Sequence, residues 1–588
     1  MQTRPHTPPS PPTQYKIIIY DKAYTKYQLY DNTTNDPIDS ATQSIDPIQQ
    51  KRFSEDVLSE TGNLLYSKIR TASAIPGVLI LENNRTYGRT ANQKRLFYRC
   101  TLYDPTLPDF VIAYSPSSHE FLKNPKNMFV LFKFDQWVGK HPEGVLIKTI
   151  GDVDDLAAYY EYRLYCKGLI QHNGKMNQHI YQTLRQTPTP PLNPTPDPRG
   201  AEGPQRHIFT IDPQDTTTYD DALELSYRVI HQEPATTTTA HPHIALVSVH
   251  ISDVAAAIDQ LSLWDKLAEH IRIPASIYMP DKRHSLLPPL LETKCSLTQN
   301  TPNKHVITTT FHIDLDTYTV IQTDVTYTTI TVQHNYVYDT PELFRDPQYI
   351  NLYDITRKLA ADSPPSNSME LVEYWMLKTN THIAEVLKSH QSGIFRTVKR
   401  KHTSKSASAS TTPQQREWNA YHSGKYQLYD PYSDTDLSHD ALQLSQYIHI
   451  TSPIRRLVDI LNQITLYDID QRRPAKLLPN SLTFRKKWWR DSEIDVLNQQ
   501  MRDIQKIQSD CELLARFTQH PEQLELSYRG IIMDGSENRI TIYLYDLRLF
   551  CSVKTDREYE IHSEHDFKIY LFKDEDSFHK KIRVCFVL

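Results

Sequence analysis

The segment FTIDPQDTTTYDDALEL puts Asp212, Asp215, Asp220 and Asp221 within ten positions, directly after an apolar run that starts like a strand. Carboxylates crowded in this way repel one another unless a proton or a cation neutralises them. Mg²⁺ takes hard oxygen ligands, usually a few carboxylates completed by water and substrate phosphate oxygens. Such a set can activate a water and clamp an in-line displacement at phosphorus. The competing reading is a solvated loop in which aspartate forms turns and caps. Spacing by itself leaves both open.

The elements that must position these residues read as strands and helices in a mixed order. Ile244–Ile251 and Val306–Ile313 have strand composition, Met369–Leu387 has helical apolar spacing, and Asp491–Phe517 is a long amphipathic helix. Upstream, short β-type runs such as Tyr15–Tyr20, Leu96–Leu102, Phe110–Tyr114 and Met128–Phe134 suggest small barrels. Alternating strands return from Leu524 to Leu588. Residues 186–206, QTPTPPLNPTPDPRGAEGPQR, form a proline-dense linker with almost nothing to bury. Residues 232–242 and 401–415 read as polar connecting loops. The recurring Leu-Tyr-Asp tripeptide is irregularly spaced, so it is compositional bias and not a repeat.

At about 150 residues per domain, a chain of 588 residues predicts three to five domains. No apolar run is long enough to span a bilayer, and MQTRPHTPPSPPTQ lacks the apolar core of a secretory signal. The six cysteines are scattered without a CxxC pair, which argues against both a zinc site and a disulfide framework and for a reducing setting. A cytoplasmic location is the default that follows. The net charge of −5 excludes a uniformly basic nucleic-acid binder but not local basic patches. Two such patches stand out, RTVKRKH at Arg396–His402 and FRKKWWR at Phe484–Arg490. Cations with aromatic rings suit single strands; the alternative is a solvated charge run with the tryptophans in the core. Cys585-Phe-Val-Leu has prenylation-box spacing, but the alternation of Val584, Phe586 and Leu588 reads better as a barrel strand.

The acidic segment resembles the entry motif of the RNase II/RNB exoribonuclease superfamily, and the resemblance continues in order along the chain. ALVSVHISDVAAAI (Ala245–Ile258), RIPASIYMP with LLPPLLETKCSL (Arg272–Leu297), ELVEYWMLKTN (Glu370–Asn380) and YIHITSPIRRLVD (Tyr447–Asp459) are similar to its later motifs. Residues Gly77–Asp155 resemble the second cold-shock-type barrel of the exosome-associated branch, without that branch's N-terminal endonuclease domain. The resemblance implies a multidomain α+β chain with a central RNB-type catalytic domain flanked by OB-type β-barrels. Its expected parts are a tail (1–14), a truncated first cold-shock-like barrel (15–71), a second (72–185), the linker (186–206), the catalytic domain (207–520) and an S1-like barrel (521–588).

The implied activity is 3′→5′ hydrolysis of single-stranded RNA to nucleoside 5′-monophosphates with Mg²⁺, by a monomer that an RNA-degradation complex could recruit and that needs no membrane. In the matched positions, Asp212, Asp220 and Asp221 hold metal, Tyr278 stacks on the terminal base, Arg455 holds the scissile phosphate, and Glu373 contacts substrate. On residue type alone, a tyrosine packed in a core is the favoured reading of Tyr278, and the alternative for Arg455 is a surface ion pair, for instance with Asp459. Departures from the pattern are Thr218 in place of a fourth acid, Tyr374 in place of a second glutamate, and Gln463-Ile464 in place of a His-Arg pair. They motivate the alternative of an RNA-binding protein that keeps the channel but hydrolyses poorly.

Overall fold

The computed structural model describes residues 14–38, 46–82, 85–90, 95–115, 125–186, 206–228, 244–399, 424–432, 436–470, 477–536, 538–573 and 580–587. Residues 1–13 of the tail, most of the linker, both polar loops and Arg400–His402 of the first basic patch lie outside the described residues. Contacts divide the chain into two compact units, one built from 1–169, 279–281 and 507–588, the other from 170–278 and 282–506.

The first unit carries three β structures. Gln14–Ile19, Tyr27–Asp31, Pro37–Ile38, Val57–Ser59 and Leu64–Tyr66 form a five-stranded sheet. Ile75–Leu79, Leu96–Leu102, Phe110–Tyr114, Met128–Gln136 and Glu143–Asp152 close into a barrel around Phe110, Val130 and Phe132. The alternation read from the sequence puts those side chains inside, because successive strand residues face opposite sides. Five more strands, from Ser527–Ser536 to Lys580–Phe586, enclose Ile532, Ile542 and Phe567. Cys585 lies in the last of them, opposite Lys568. At Gly530 a Cβ would meet the Tyr543 carbonyl oxygen at 2.8 Å, so this strand crossing admits only glycine. The helix Leu156–Cys166 follows the closed barrel along the chain within this unit, while the next helix, Gly174–Gln186, belongs to the second.

The second unit is a six-stranded sheet backed by helices. We label its strands β1 (Ile208–Asp212), β2 (Asp221–Arg228), β3 (Ile244–Ser252), β4 (Ile277–Tyr278), β5 (Arg283–His284), β6 (Lys304–Asp314), β7 (Thr319–Ile330) and β8 (His334–Val337). The sheet order is β7-β6-β3-β2-β1-β8, antiparallel except for the parallel β1–β8 pair, while β4 and β5 form a separate hairpin. The central strand β3, IALVSVHIS, is buried almost throughout, as a strand covered on both faces must be. Its polar members are satisfied across the sheet: His250 bridges Thr308 Oγ1 (2.8 Å) and the buried Glu224 (3.2 Å), which also pairs with Arg206.

Four helices matter for the site: α1 (Val254–Gln260), α2 (Pro289–Cys295), α3 (Ser368–Ser389) and α4 (Leu457–Ile469). Asn367 caps α3 by accepting the Glu370 N–H, and Trp375 anchors it to the sheet against Phe311 with ring centroids 5.4 Å apart. Helix α4 is buried along Leu457–Tyr467, as its mostly apolar sequence requires.

Candidate functional site

Strand β1 ends at Asp212 and β2 begins at Asp221, so the chain between them delivers all three carboxylates to the same end of two neighbouring strands. They line a cavity of about 890 Å³ together with Tyr278, Glu373 and Arg455. Every residue singled out from the resemblance is therefore in one place, drawn from β1–β2, the β4–β5 hairpin, α3 and the turn before α4.

That turn is built by its own motif. The Asp459 carboxylate accepts the Ser452 N–H (2.7 Å) and an Arg456 N–H (2.9 Å), while the Arg455 and Arg456 amides bond back to the Ser452 carbonyl. The ion pair with Asp459 thus belongs to Arg456, not to Arg455. Ser276 N–H bonds to Arg455 O, and Leu457 N–H to Pro274 O, which lashes the turn to the segment leading into Tyr278. Arg455 projects its guanidinium into the cavity, with Nε 3.6 Å from Asp220 Oδ2. Tyr278 is 47% exposed, so its ring is not packed into a core.

Burial dominates the electrostatics. Asp220 is pushed up to about 6 by burial, against the opposing pull of Arg455 and of the Ile454 N–H that its Oδ1 accepts. Asp212 also rises to about 6, through burial and the nearby Asp220 charge. Asp221 lies well above the ordinary carboxylate range, through burial and both neighbouring aspartates. Asp220 acts on Asp212 and Asp221, Asp212 acts on Asp221, and all three feel Arg455. Asp212 Oδ2 is buried without a hydrogen-bond partner. This orphan oxygen and the mutual repulsion fit a hard divalent cation. Among the described residues, however, no three His, Cys, Asp or Glu side chains stand as a ready coordination cage. Asp215 lines the cavity from an exposed position with φ 70° and is not among the groups that shift the other three.

The departures from the expected pattern have separate physical accounts. Thr218 accepts a hydrogen bond from Arg283 Nη1 at 3.0 Å. Tyr374 is not among the residues that line the cavity; it packs against the sheet's core beside Trp375. Gln463 is fully buried outside the cavity, where its amide donates to Ser252 O (2.8 Å) and accepts from Ala255 N–H (3.2 Å). Its work is to join α4 to the β3–α1 connection.

Among the lining residues given no role from the sequence are Arg283, Tyr338 and His449. Burial, with Asp221 and Asp212 nearby, raises Tyr338 to about 12. His449 Nδ1 meets the Tyr426 hydroxyl at 2.8 Å, and burial beside Arg456 and Arg396 holds its pKa well below the ordinary histidine value. Arg283 stands opposite Tyr278 in the hairpin register, a signal that the short turn MPDK between them could have supplied. The basic patches divide between packed and exposed residues: Lys486, Lys487 and Arg490 are exposed, and Arg400–His402 lie outside the described residues. Phe484 and Trp488 are buried, Arg485 pairs with Asp468 at 2.8 Å, Arg396 lies over the Tyr426 ring, and Lys399 pairs with Asp436.

The RNB domain family matches residues 204–344 and 346–471. No curated protein sequence matches the chain. Among solved structures, Mycoplasma genitalium RNase R in complex with ribose-methylated single-stranded RNA aligns with a TM-score of 0.63 at 14% identity, covering 97% of this chain and all of that one. Yeast Ssd1, a pseudonuclease, aligns with a TM-score of 0.52 at 14% identity, over 85% of this chain and 67% of Ssd1. These likenesses agree with an RNB domain flanked by OB-type barrels, and they bear on the superfamily and not on its branches.

Proposed function

We propose that this chain, which belongs to the RNB exoribonuclease superfamily, is a 3′→5′ exoribonuclease that hydrolyses single-stranded RNA to nucleoside 5′-monophosphates. One observation carries the reading: Asp212, Asp220, Asp221, Tyr278, Glu373 and Arg455 line a single cavity. Asp212, Asp220 and Asp221 are the residues that would hold Mg²⁺, which when bound lowers the pKa of a water and offsets phosphate charge. Arg455 presents a planar fork of donors to the scissile phosphate. Tyr278 offers its half-exposed ring to the terminal base, a contact that tolerates any base identity. Glu373 contacts substrate from the first turns of α3. The flanking barrels, at 72–185 and 521–588, are assigned cold-shock-like and S1-like types in the same proposal, and the chain acts as a monomer in the cytoplasm.

The test is a 5′-labelled single-stranded RNA incubated with Mg²⁺ and either the wild-type chain or Asp220→Asn. Shortening from the 3′ end by the wild type alone supports the enzyme. A second reading, an RNA-binding protein with impaired hydrolysis, is favoured by the lack of a ready three-ligand cage among the described residues and by the hydroxyl at position 218. Equal RNA retention by both proteins with no shortening would select it.

A further inference from the structure

We infer that Arg283 is a positioning residue of this cavity: through the Thr218 hydroxyl it fixes the loop between Asp212 and Asp220 against the hairpin that carries Tyr278. The inference rests on the proposed reading of the cavity and adds a residue that the reading does not use.

Tyr278 and Arg283 face each other directly in the β4–β5 pair. Directly opposed residues of an antiparallel pair point to the same side, with Cβ atoms about 5 Å apart. The guanidinium is oriented from behind. Its Nε and Nη2 donate to Ser285 Oγ at 3.2 and 3.1 Å, and Nη2 pairs with Glu292, whose other oxygen accepts from Ser285 Oγ at 3.1 Å. Glu292 is only 6% exposed in the first turn of α2, so this anchor is a buried carboxylate and not a solvated one. With those donors committed, the Nη1 edge is aimed at Thr218 Oγ1. A lysine could not reproduce this, because the arrangement needs donors on separate edges of one rigid plane.

The loop has few other anchors. Tyr219 is held by Ser296 Oγ on its N–H and by the Leu297 N–H on its carbonyl, both at 3.0 Å, and the Asp220 carbonyl accepts the Ser252 N–H. Before Tyr219, the bonds of residues 213–217 stay within the loop or reach Tyr219: Thr216 bonds to the Pro213 carbonyl, and the Tyr219 hydroxyl bonds to the Thr216 carbonyl. Among the described residues, the Arg283–Thr218 bond is the one hydrogen bond that ties residues 213–218 to the hairpin. A hydroxyl suits this task. It accepts from the guanidinium without bringing another negative charge to a site whose carboxylates already repel one another. The geometry further implies that Thr218→Asp would form an ion pair with Arg283 and would not add a metal ligand.

The test uses the full chain in five variants: Thr218→Ser, Thr218→Val, Arg283→Lys, Arg283→Met and the Val/Met double. Single-turnover hydrolysis of a labelled RNA is measured beside RNA affinity. Thr218→Val and Arg283→Met are expected to slow turnover by about tenfold or more at unchanged RNA affinity, because small misplacements cost rate more than binding. Thr218→Ser retains the rate, Arg283→Lys does not rescue it, and the double variant is no slower than Arg283→Met. Multiplying effects, or Thr218→Val at the wild-type rate, would overturn the inference. Valine matches threonine in shape, so that variant remains informative if Arg283→Met strands Glu292 and fails to fold. A second readout does not depend on hydrolysis: Mn²⁺ affinity of the RNA-free chain, followed by electron paramagnetic resonance. Weaker Mn²⁺ binding in Thr218→Val but not in Thr218→Ser supports the inference, and equal affinity overturns it. If the wild type binds Mn²⁺ but leaves RNA intact, the exoribonuclease reading fails alone. A wild type that binds no Mn²⁺ overturns both.

Discussion

Asp220 and Arg455 meet across the cavity with 3.6 Å between Oδ2 and Nε, while Asp220 Oδ1 accepts the N–H of Ile454, the residue just before Arg455. One carboxylate therefore touches both the side chain and the backbone of the turn that carries the phosphate-binding arginine. A metal ligand and a phosphate clamp joined in this way are held in mutual register before substrate arrives.

Asp220→Asn retains an oxygen for the Ile454 N–H but removes the charge. We expect RNA shortening to fall by about 100-fold or more, in the range typical for loss of one preorganised charged group. The melting temperature should hold or rise, because a carboxylate that burial disfavours is removed. Gel assays and thermal melts check the two halves.

Arg455→Lys keeps the positive charge and loses the fork. The expected outcome is a fall in rate of roughly 10²–10³-fold with a smaller change in RNA affinity. Single-turnover kinetics at saturating enzyme separate the two. Equal rates for lysine and arginine would remove the argument from guanidinium geometry.

Stability should report the carboxylates directly. Asp212 and Asp220 rise from 3.8 to about 6 in the fold. Between those values the folded state binds more protons than the unfolded one, so their contribution to stability declines as pH rises through that window and stays reduced above it. A divalent cation replaces the missing protons only where the groups are ionised. Mg²⁺ should therefore raise the melting temperature more at about pH 7.5 than at about pH 5, with the contrast lost in Asp220→Asn. A pH-independent shift would contradict the assignment.

Gln463→Ala should leave hydrolysis per folded molecule intact while destabilising the fold by about 2–4 kcal/mol, since it empties a buried site and strands the Ser252 carbonyl and Ala255 N–H. Urea unfolding measures it. Gln463→His, which restores the superfamily's residue type, should give no gain in rate, because the position is outside the cavity.

His439 supplies an acid-side signature elsewhere in the same unit. Burial, with Arg396 nearby, lowers its pKa from 6.5 to about 4. The unfolded state then binds the proton first, so stability is greatest above pH 6.5 and falls as pH drops toward 4. His439→Gln should flatten that limb of a stability–pH curve measured by urea unfolding.

Much of the site was legible in the residues. The acidic segment, the aromatic at 278 and the arginine at 455 sit in motifs whose order along the chain carried the superfamily resemblance, and β3, β6 and α3 follow their apolar periodicity to within a few residues. What misled was reading every departure in a motif as a change in chemistry. Tyr374 and Gln463 are packing positions: one belongs to the core face of α3, the other to a buried joint. The second basic patch divides: Phe484 and Trp488 fill the interior and Arg485 pairs with Asp468, while Lys486, Lys487 and Arg490 stay exposed.

The sequence by itself determined which residue types were present, the strand and helix periods, and the order of the motifs, because each depends on backbone geometry over a few neighbouring residues. Only the tertiary structure decided the partnerships. Asp220 finds Ile454 across 234 positions, and Arg283 finds Thr218 across 65. Such contacts are set by how the sheet, the hairpin and the helices pack, and local spacing does not encode them. Packing likewise decided that the threonine standing where a fourth carboxylate was expected turns toward an arginine anchored by the buried Glu292.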